Sequence, residues 1–420
     1  MVTTRQRPTF EDQALQRDIM RLRQVDNYTN LLYLAMEYAS LAIVIGSAVV
    51  FSEYRASWGI AWSWNIPVFA VAIVLIGGIQ HRLAGLGHES SHYSFMKNRV
   101  LNDLVPDLFC MFPLMTTIHF YRLFHMGHHQ FTNDPERDPD LLNLGHGKRA
   151  NEFPMTPQKF IAVVYFCFVT APIRFLAYQW AYVQVNTLGQ GKSVYVEGTT
   201  GADRKFSWLP RPGTALAFVY LFGFMAFTRY LTNSGRASLL APAAGLGIVL
   251  STAIVRLVPD RWIFQSPFRQ AYSSRFAGTA RLTFYTVLIT ALAHLRFATH
   301  GASAIYPVLL WLVPINSSFM FFMFLRDVYQ HSNADDGRLT NSRVFFTDPF
   351  TRWAVLIYGQ DMHIPHHLFP AVPHYRLREL HAILKKRHAP YHDLVVETFG
   401  TFHDPNGRTT ILDEMTRPRH

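Results

Sequence analysis

Seven stretches of the chain are nearly free of charge: residues 31–51, 66–79, 160–171, 215–227, 239–255, 282–295 and 305–325. A helix that crosses a bilayer needs about 20 mostly apolar residues. The longer runs meet that length, and the shorter ones leave room for interfacial or re-entrant pieces. The polar stretches between them are equally informative. Residues 1–29 read as a lead-in, with an amphipathic helix expected on the bilayer surface. The loop 52–65 holds Trp58, Trp62 and Trp64, which suit a membrane interface. The stretch 101–121 is interrupted by Asp103, Pro106, Asp107, Pro113 and His119, so a pair of short interfacial or re-entrant helices is expected there. Residues 186–213 form a loop rich in Gly, Lys and Pro, and no internal repeat or low-complexity segment is visible. The pattern predicts an all-α, polytopic membrane bundle in three parts. These are an N-terminal segment (1–29), a transmembrane domain (30–330) and a helical cap (331–420).

Composition agrees with lipid as the solvent. Half the residues are apolar and 16% are charged, against about a quarter in an ordinary soluble domain. The formal charge is +11. Its basic residues flank the spans: Arg5, Arg7, Arg17, Arg21 and Arg23 before the first, and Lys385-Lys386-Arg387 in the cap. The positive-inside rule then puts both ends in the cytoplasm, with the bacterial inner membrane or the endoplasmic reticulum as the setting. Basic residues so placed do not call for nucleic acid, and no secretory signal is expected. Two cysteines, Cys110 and Cys167, both in apolar surroundings, exclude a disulfide framework and an iron–sulfur site within the chain.

Three histidine clusters carry the chemistry: His88-Glu-Ser-Ser-His92, His125-Met-Gly-His128-His129 and His363-Ile-Pro-His366-His367. Positions i, i+3 and i+4 share one helix face, so each cluster is expected to aim its imidazoles at a single point. Pro365 fits the first turn of a helix, which places the third cluster at a helix start. Eight imidazoles are too many for one metal ion and suit two, iron being the expected metal. His331, delivered by the last apolar run, is the expected ninth ligand. Asp327 lies one turn before it, within reach of a metal-bound water or of that ring. Asp134, Asp138, Asp140, Asp327 and Asp361 are the available acceptors for the outer ring nitrogens, with Asp327, Asp138 and Asp361 the preferred three. His81 lies roughly 10 Å up the helix from His88 and is not expected to reach the metal; His119 is likewise left out. If all clusters share one side, the crossings between residues 129 and 363 are even in number. Five apolar candidates lie there, and 160–185, with Arg174, Gln179 and Gln184, is the expected exception.

Two readings from other classes compete. His88-Glu89-Ser-Ser-His92 also fits H-E-x-x-H, in which Glu89 is the general base of a zinc metalloprotease. That reading leaves the other two clusters unexplained. A metal transporter would place its ionisable residues near the bilayer midplane, whereas these lie at span ends and in the cap.

The three clusters and their flanks resemble the membrane fatty acid desaturase superfamily, the three-histidine-box di-iron enzymes. Gly87-His-Glu-Ser-Ser-His92, the Asp-Pro trailer in 128–140 and His366-His-Leu-Phe-Pro-Ala-Val-Pro-His-Tyr375 are most similar to its acyl-lipid members. His363 and Pro365 stand where the family often has Asn or Gln followed by other residues, and the apolar runs exceed its usual four spans. The resemblance implies two Fe ions, O2 as co-substrate and a fatty acyl substrate carried as a lipid, a thioester or the free acid. Desaturation is expected, with hydroxylase, ketolase or terminal-alkene-forming decarboxylase activity as the alternative within the superfamily. Without a haem motif, a G-x-G-x-x-G fingerprint or cluster cysteines, no bound haem, flavin or nicotinamide is expected. Electrons would come from a separate ferredoxin, rubredoxin or cytochrome b5.

Overall fold

The computed structural model describes residues 10–144, 152–195 and 211–418; Arg5, Arg7 and positions 196–210 of the expected loop lie outside the described residues. Six helices among these residues are long and apolar enough to cross a membrane: Thr29–Tyr54, Trp62–Ser91, Pro212–Asn233, Ala237–Leu257, Ser274–Ala298 and Ala302–His331. Their outer faces stay apolar where nothing covers them, as at Leu246 (71% exposed) and Val219 (69%), a surface suited to lipid rather than to water. The fold is a helical membrane bundle carrying a polar cap.

Helix α1 (Gln13–Leu22) starts at Asp12, whose carboxylate accepts from the backbone N–H of Ala14 and of Leu15. It does not lie on a bilayer surface as expected. Leu15, Ile19 and Leu22, at helical spacing, are buried in the core of the cap, so its apolar face has no surface left for lipid. Helices α2 (Thr29–Tyr54) and α3 (Asn65–Ser91) form an antiparallel pair, joined by the exposed Trp58, Trp62 and Trp64. The pair encloses an ion pair, Arg82 Nε to Glu37 Oε1 at 2.8 Å. Helix α4 (Arg99–Pro106) runs into a wider turn at Asp107–Met111, and α5 (Ile118–Phe131) follows. These are the short interrupted pieces expected of 101–121.

Residues 157–187 are broken into pieces, the longest being α6 (Pro172–Tyr182), and none reaches spanning length. The four long helices left between His129 and His363 are an even number, as a common side for the histidines requires. Three of them, α7 (Pro212–Asn233), α8 (Leu240–Leu257) and α9 (Ser274–Ala298), pack mainly on one another. The last ends in α10 (Ser318–His331), which packs along α3. That packing depends on a small residue, since a Cβ at Gly77 would collide with the Ser318 side chain; one at Gly87 would collide with Met111 of the turn after α4. The ends of α3 and α10 thus arrive together, one carrying His88 and the other His331.

The cap is built on a two-stranded parallel sheet, β1 (Val344–Phe346) and β2 (Glu397–Phe399). Around it lie α11 (His363–Leu368) and α12 (Leu377–Arg387), the latter ending in Lys385, Lys386 and Arg387. His363 opens α11 and Pro365 sits in its first turn, as expected. Cys110 and Cys167 are both buried.

Candidate metal centre

Four segments bring nine histidines together: the end of α3, one face of α5, the last residue of α10, and α11. They form two groups. His88, His92, His125, His129 and His366 each offer a ring nitrogen to one point, and His128, His331, His363 and His367 to a second; the nitrogens within each group lie within 4.8 Å of one another. The expectation of one point per cluster is therefore corrected for the second and third clusters. His128 and His129 are adjacent in sequence and about 100° apart around a helix, so one ring faces each group. Likewise His363 and His367, one turn apart, share a group that His366 does not enter.

The nitrogens make more close contacts than protons alone can satisfy. His125 Nε2 is 2.8 Å from His92 Nε2 and 3.0 Å from His129 Nε2, which is itself 3.1 Å from His366 Nε2. In the other group His363 Nε2 is 3.0 Å from both His331 and His367. A ring nitrogen has one in-plane site, either a proton or a lone pair. His125, His129 and His363 each stand in two such contacts and cannot satisfy both. A cation at each centre, taking every lone pair, resolves the conflict, so the donor set fits two imidazole-binding metal ions. Burial, then repulsion from the neighbouring rings, holds His92, His129, His363, His366 and His367 well below the ordinary histidine range. Neutral rings keep their lone pairs available for metal.

Outer contacts orient several rings. His128 Nδ1 donates to Asp138 Oδ1 at 3.0 Å, with Asp140 at 3.4 Å. Burial works against charge on His128, but Asp138 and Asp140 outweigh it and lift the ring to about 9. His331 Nδ1 lies 3.2 Å from the Asn341 carbonyl, and His367 Nδ1 is 3.1 Å from the Thr132 hydroxyl. Thr132 is one turn past His128, so helical spacing could have revealed it. The Asn341 contact uses a backbone oxygen, which leaves no signal in residue type.

The other acidic candidates have different partners. Asp327 is buried and accepts from Tyr178 Oη at 2.7 Å and from Arg326 at 3.1 Å. Asp361 does not turn toward a ring: its carboxylate pairs with Arg378 at 2.6 Å and Arg352 at 3.3 Å, tying the start of the third cluster to the cap. Asp134 pairs with Arg137. His81 bonds the Ala354 carbonyl at 2.7 Å, and neither it nor His119 enters a group. Glu89 accepts from the backbone N–H of His374 at 2.9 Å and from Ser94 Oγ at 3.0 Å. That ties it into the cap, while His88 and His92 share their centre with three rings from the other clusters. Neither placement is that of an H-E-x-x-H protease.

Sequence reasoning missed the clamp beneath the site. Arg122, 1% exposed, bonds both oxygens of Asp103, at 2.5 and 2.8 Å, and donates to the carbonyls of Ser90 and Ser91. It thereby fastens the first cluster to the helix bearing the second. Removing one partner of such a buried pair costs about 3–5 kcal/mol. The signal present was an arginine in a stretch already rich in aspartates.

Comparison with known proteins agrees with this geometry. The family model described as fatty acid desaturase matches residues 62–258 and 250–399. A stretch of 117 residues is 33% identical to the dihydrorhizobitoxine desaturase of Bradyrhizobium elkanii, covering 28% of this chain and 30% of that protein. Another of 53 residues is 43% identical to the sn-1 oleoyl-lipid 12-desaturase of Anabaena variabilis, 13% of this chain and 15% of that protein. The sn-1 oleoyl-lipid 12-desaturase of Synechocystis sp. is 23% identical over 362 residues, 84% of this chain and 77% of that one. The first two similarities thus span less than a third of the relatives' own lengths.

Proposed function

The chain belongs to the fatty acid desaturase family, and from that premise we propose that it is an O2-dependent di-iron desaturase of a long-chain fatty acyl group, held as a lipid in the membrane. The observation that carries this reading is the convergence of nine buried or half-buried imidazoles on two points. Five rings would hold one iron and four the other, with His331 as the ninth ligand. When bound, such a pair supplies O2-dependent removal of hydrogen from neighbouring methylenes.

The chain's own residues set the conditions for that chemistry. Asp138, the Asn341 carbonyl and Thr132 fix the orientation of the rings of His128, His331 and His367 through one nitrogen each, which leaves the other nitrogen of each ring to the shared centre. Asp327, on the turn before His331, binds Tyr178 and Arg326 through its two carboxylate oxygens. The described cap, residues 331–418 with α1 packed into it, leaves the clustered histidines buried or half-buried. The acyl chain reaches the site from the membrane side, between the spans. The basic cap is the docking face for a separate, acidic electron donor.

The acyl-lipid reading follows the two oleoyl-lipid relatives and the sequence after the third cluster. Product analysis tests it. Expressed in a host of defined lipids, the protein should produce acyl chains two mass units lighter, found in intact lipids. A gain of oxygen would indicate hydroxylation or ketone formation instead, and a terminal alkene one carbon shorter would indicate decarboxylation. Sidedness is tested separately. Cysteines introduced at exposed positions of residues 10–29, of the 133–143 loop and of α12 should all react from the cytoplasmic face. Labelling of the 133–143 loop and α12 from opposite faces would end the shared-centre reading.

A further inference from the structure

The outer nitrogens of the nine rings are not supported alike. In the four-ring group, His128, His331 and His367 each have one nitrogen held, by Asp138, the Asn341 carbonyl and Thr132. Among the described residues no ring of the five-ring group has a hydrogen bond to a carboxylate. Yet one buried carboxylate lies against that group. Glu89 is 1% exposed and belongs to neither set of metal-binding donors. Its tie to the cap uses a single oxygen: Oε2 accepts from the His374 N–H at 2.9 Å and from Ser94 Oγ at 3.0 Å. Oε1 takes no part in that tie and lies 3.5 Å from His88 Nδ1.

The surroundings of His88 say which nitrogen carries its proton. Gln330 Nε2 donates to Gln360 Oε1 at 2.8 Å, which turns the Gln360 amide nitrogen toward His88 Nε2, 3.4 Å away. An amide N–H faces a lone pair, so the lone pair is at Nε2 and the proton at Nδ1. That Nδ1 has no hydrogen-bond partner among the described residues. A buried donor left unpaired is destabilising. The contact to Glu89 becomes an ordinary hydrogen bond if it shortens by about 0.5 Å.

We propose that Glu89 is a positioning residue of the five-ring centre, in which Oε1 accepts the Nδ1 proton of His88 and holds the Nε2 lone pair toward the metal. A carboxylate in this place fixes both the tautomer and the angle of a metal-binding ring. The cap anchors the other oxygen, so the first cluster is oriented from the cap side. This role rests on the di-metal reading of the cluster, and its test reads metal binding rather than turnover.

Glu89→Gln separates the two contacts of the carboxylate. Two donors converge on Oε2, so the amide oxygen takes that place and the tie to the cap is kept. The amide NH2 then faces the Nδ1 proton, donor against donor. Purified full-length protein is loaded with iron(II) under argon and titrated with a chelator of known affinity. One of the two irons should be released at about 10–100-fold less chelator in Glu89→Gln than in the unaltered protein. Ser94→Ala removes only a donor to Oε2 and should release iron as the unaltered protein does. In a His88→Ala background there is no ring to orient, so adding Glu89→Gln should change release by less than about two-fold. Should Glu89→Gln fold poorly, Glu89→Asp repeats the cycle, because the shorter side chain cannot reach His374 and His88 together. Unchanged release in Glu89→Gln, or an equal loss with and without the His88 ring, would overturn the positioning role. Unaltered protein that binds fewer than two metal ions would instead overturn the di-metal reading beneath it.

Discussion

Purified protein should carry about two irons per chain, and alanine at any of His88, His92, His125, His128, His129, His363, His366 or His367 should abolish turnover. The loss should exceed the roughly 100-fold that follows removal of a ligand's hydrogen-bond partner. The two groups should also differ in metal content. Removing one ring from the five-imidazole centre leaves four nitrogens, still a workable set. Removing His363 or His367 from the four-imidazole centre leaves three. Iron measured by plasma mass spectrometry should therefore fall further in His363→Ala and His367→Ala than in His88→Ala, although activity is lost in all three. His129→Ala should be severe for a further reason: its Nε2 touches two rings of its own centre, and its ring stacks on His367 of the other at 4.3 Å. A single zinc per chain, unaffected by changes in the second and third clusters, would sink the di-iron reading and reopen the protease one.

Local periodicity carried much of this site. The i, i+3, i+4 spacing placed the rings on helix faces, the apolar runs located the long helices, and counting crossings singled out 160–185, which forms no helix of spanning length. Pairings between distant segments were not legible. No spacing rule says that His128 joins His331 rather than its neighbour His129, because that depends on how α5 is rotated against α10. The parallel pairing of Val344–Phe346 with Glu397–Phe399 was invisible in two three-residue strands about fifty residues apart. The fate of α1 was misjudged because an amphipathic helix has the same pattern whether its apolar face meets lipid or the cap. Asp361 was placed near the rings by proximity in sequence, but two arginines from the cap compete for it. The clamp of Arg122 on Asp103 joins residues nineteen positions apart, where helical spacing offers no guide.

His331 and Asp327 should separate ligand from support. His331 Nε2 lies 3.0 Å from His363 Nε2, inside the smaller group, and its Nδ1 faces the Asn341 carbonyl. His331→Ala should therefore cost iron and activity together, leaving about one metal per chain. Asp327 is bonded to Tyr178 and Arg326 rather than placed in either group of ring nitrogens. Asp327→Asn keeps the shape and can still bond Tyr178, but it leaves the buried Arg326 without its counter-charge. Activity should drop by about 10–100-fold with most of the iron retained. His81→Ala and His119→Ala are the controls. Both rings are buried, yet neither joins a metal group, so both variants should keep their full iron content. Retention of both irons and of activity in His331→Ala, with iron lost in His81→Ala or His119→Ala, would show that the ninth ligand is another histidine.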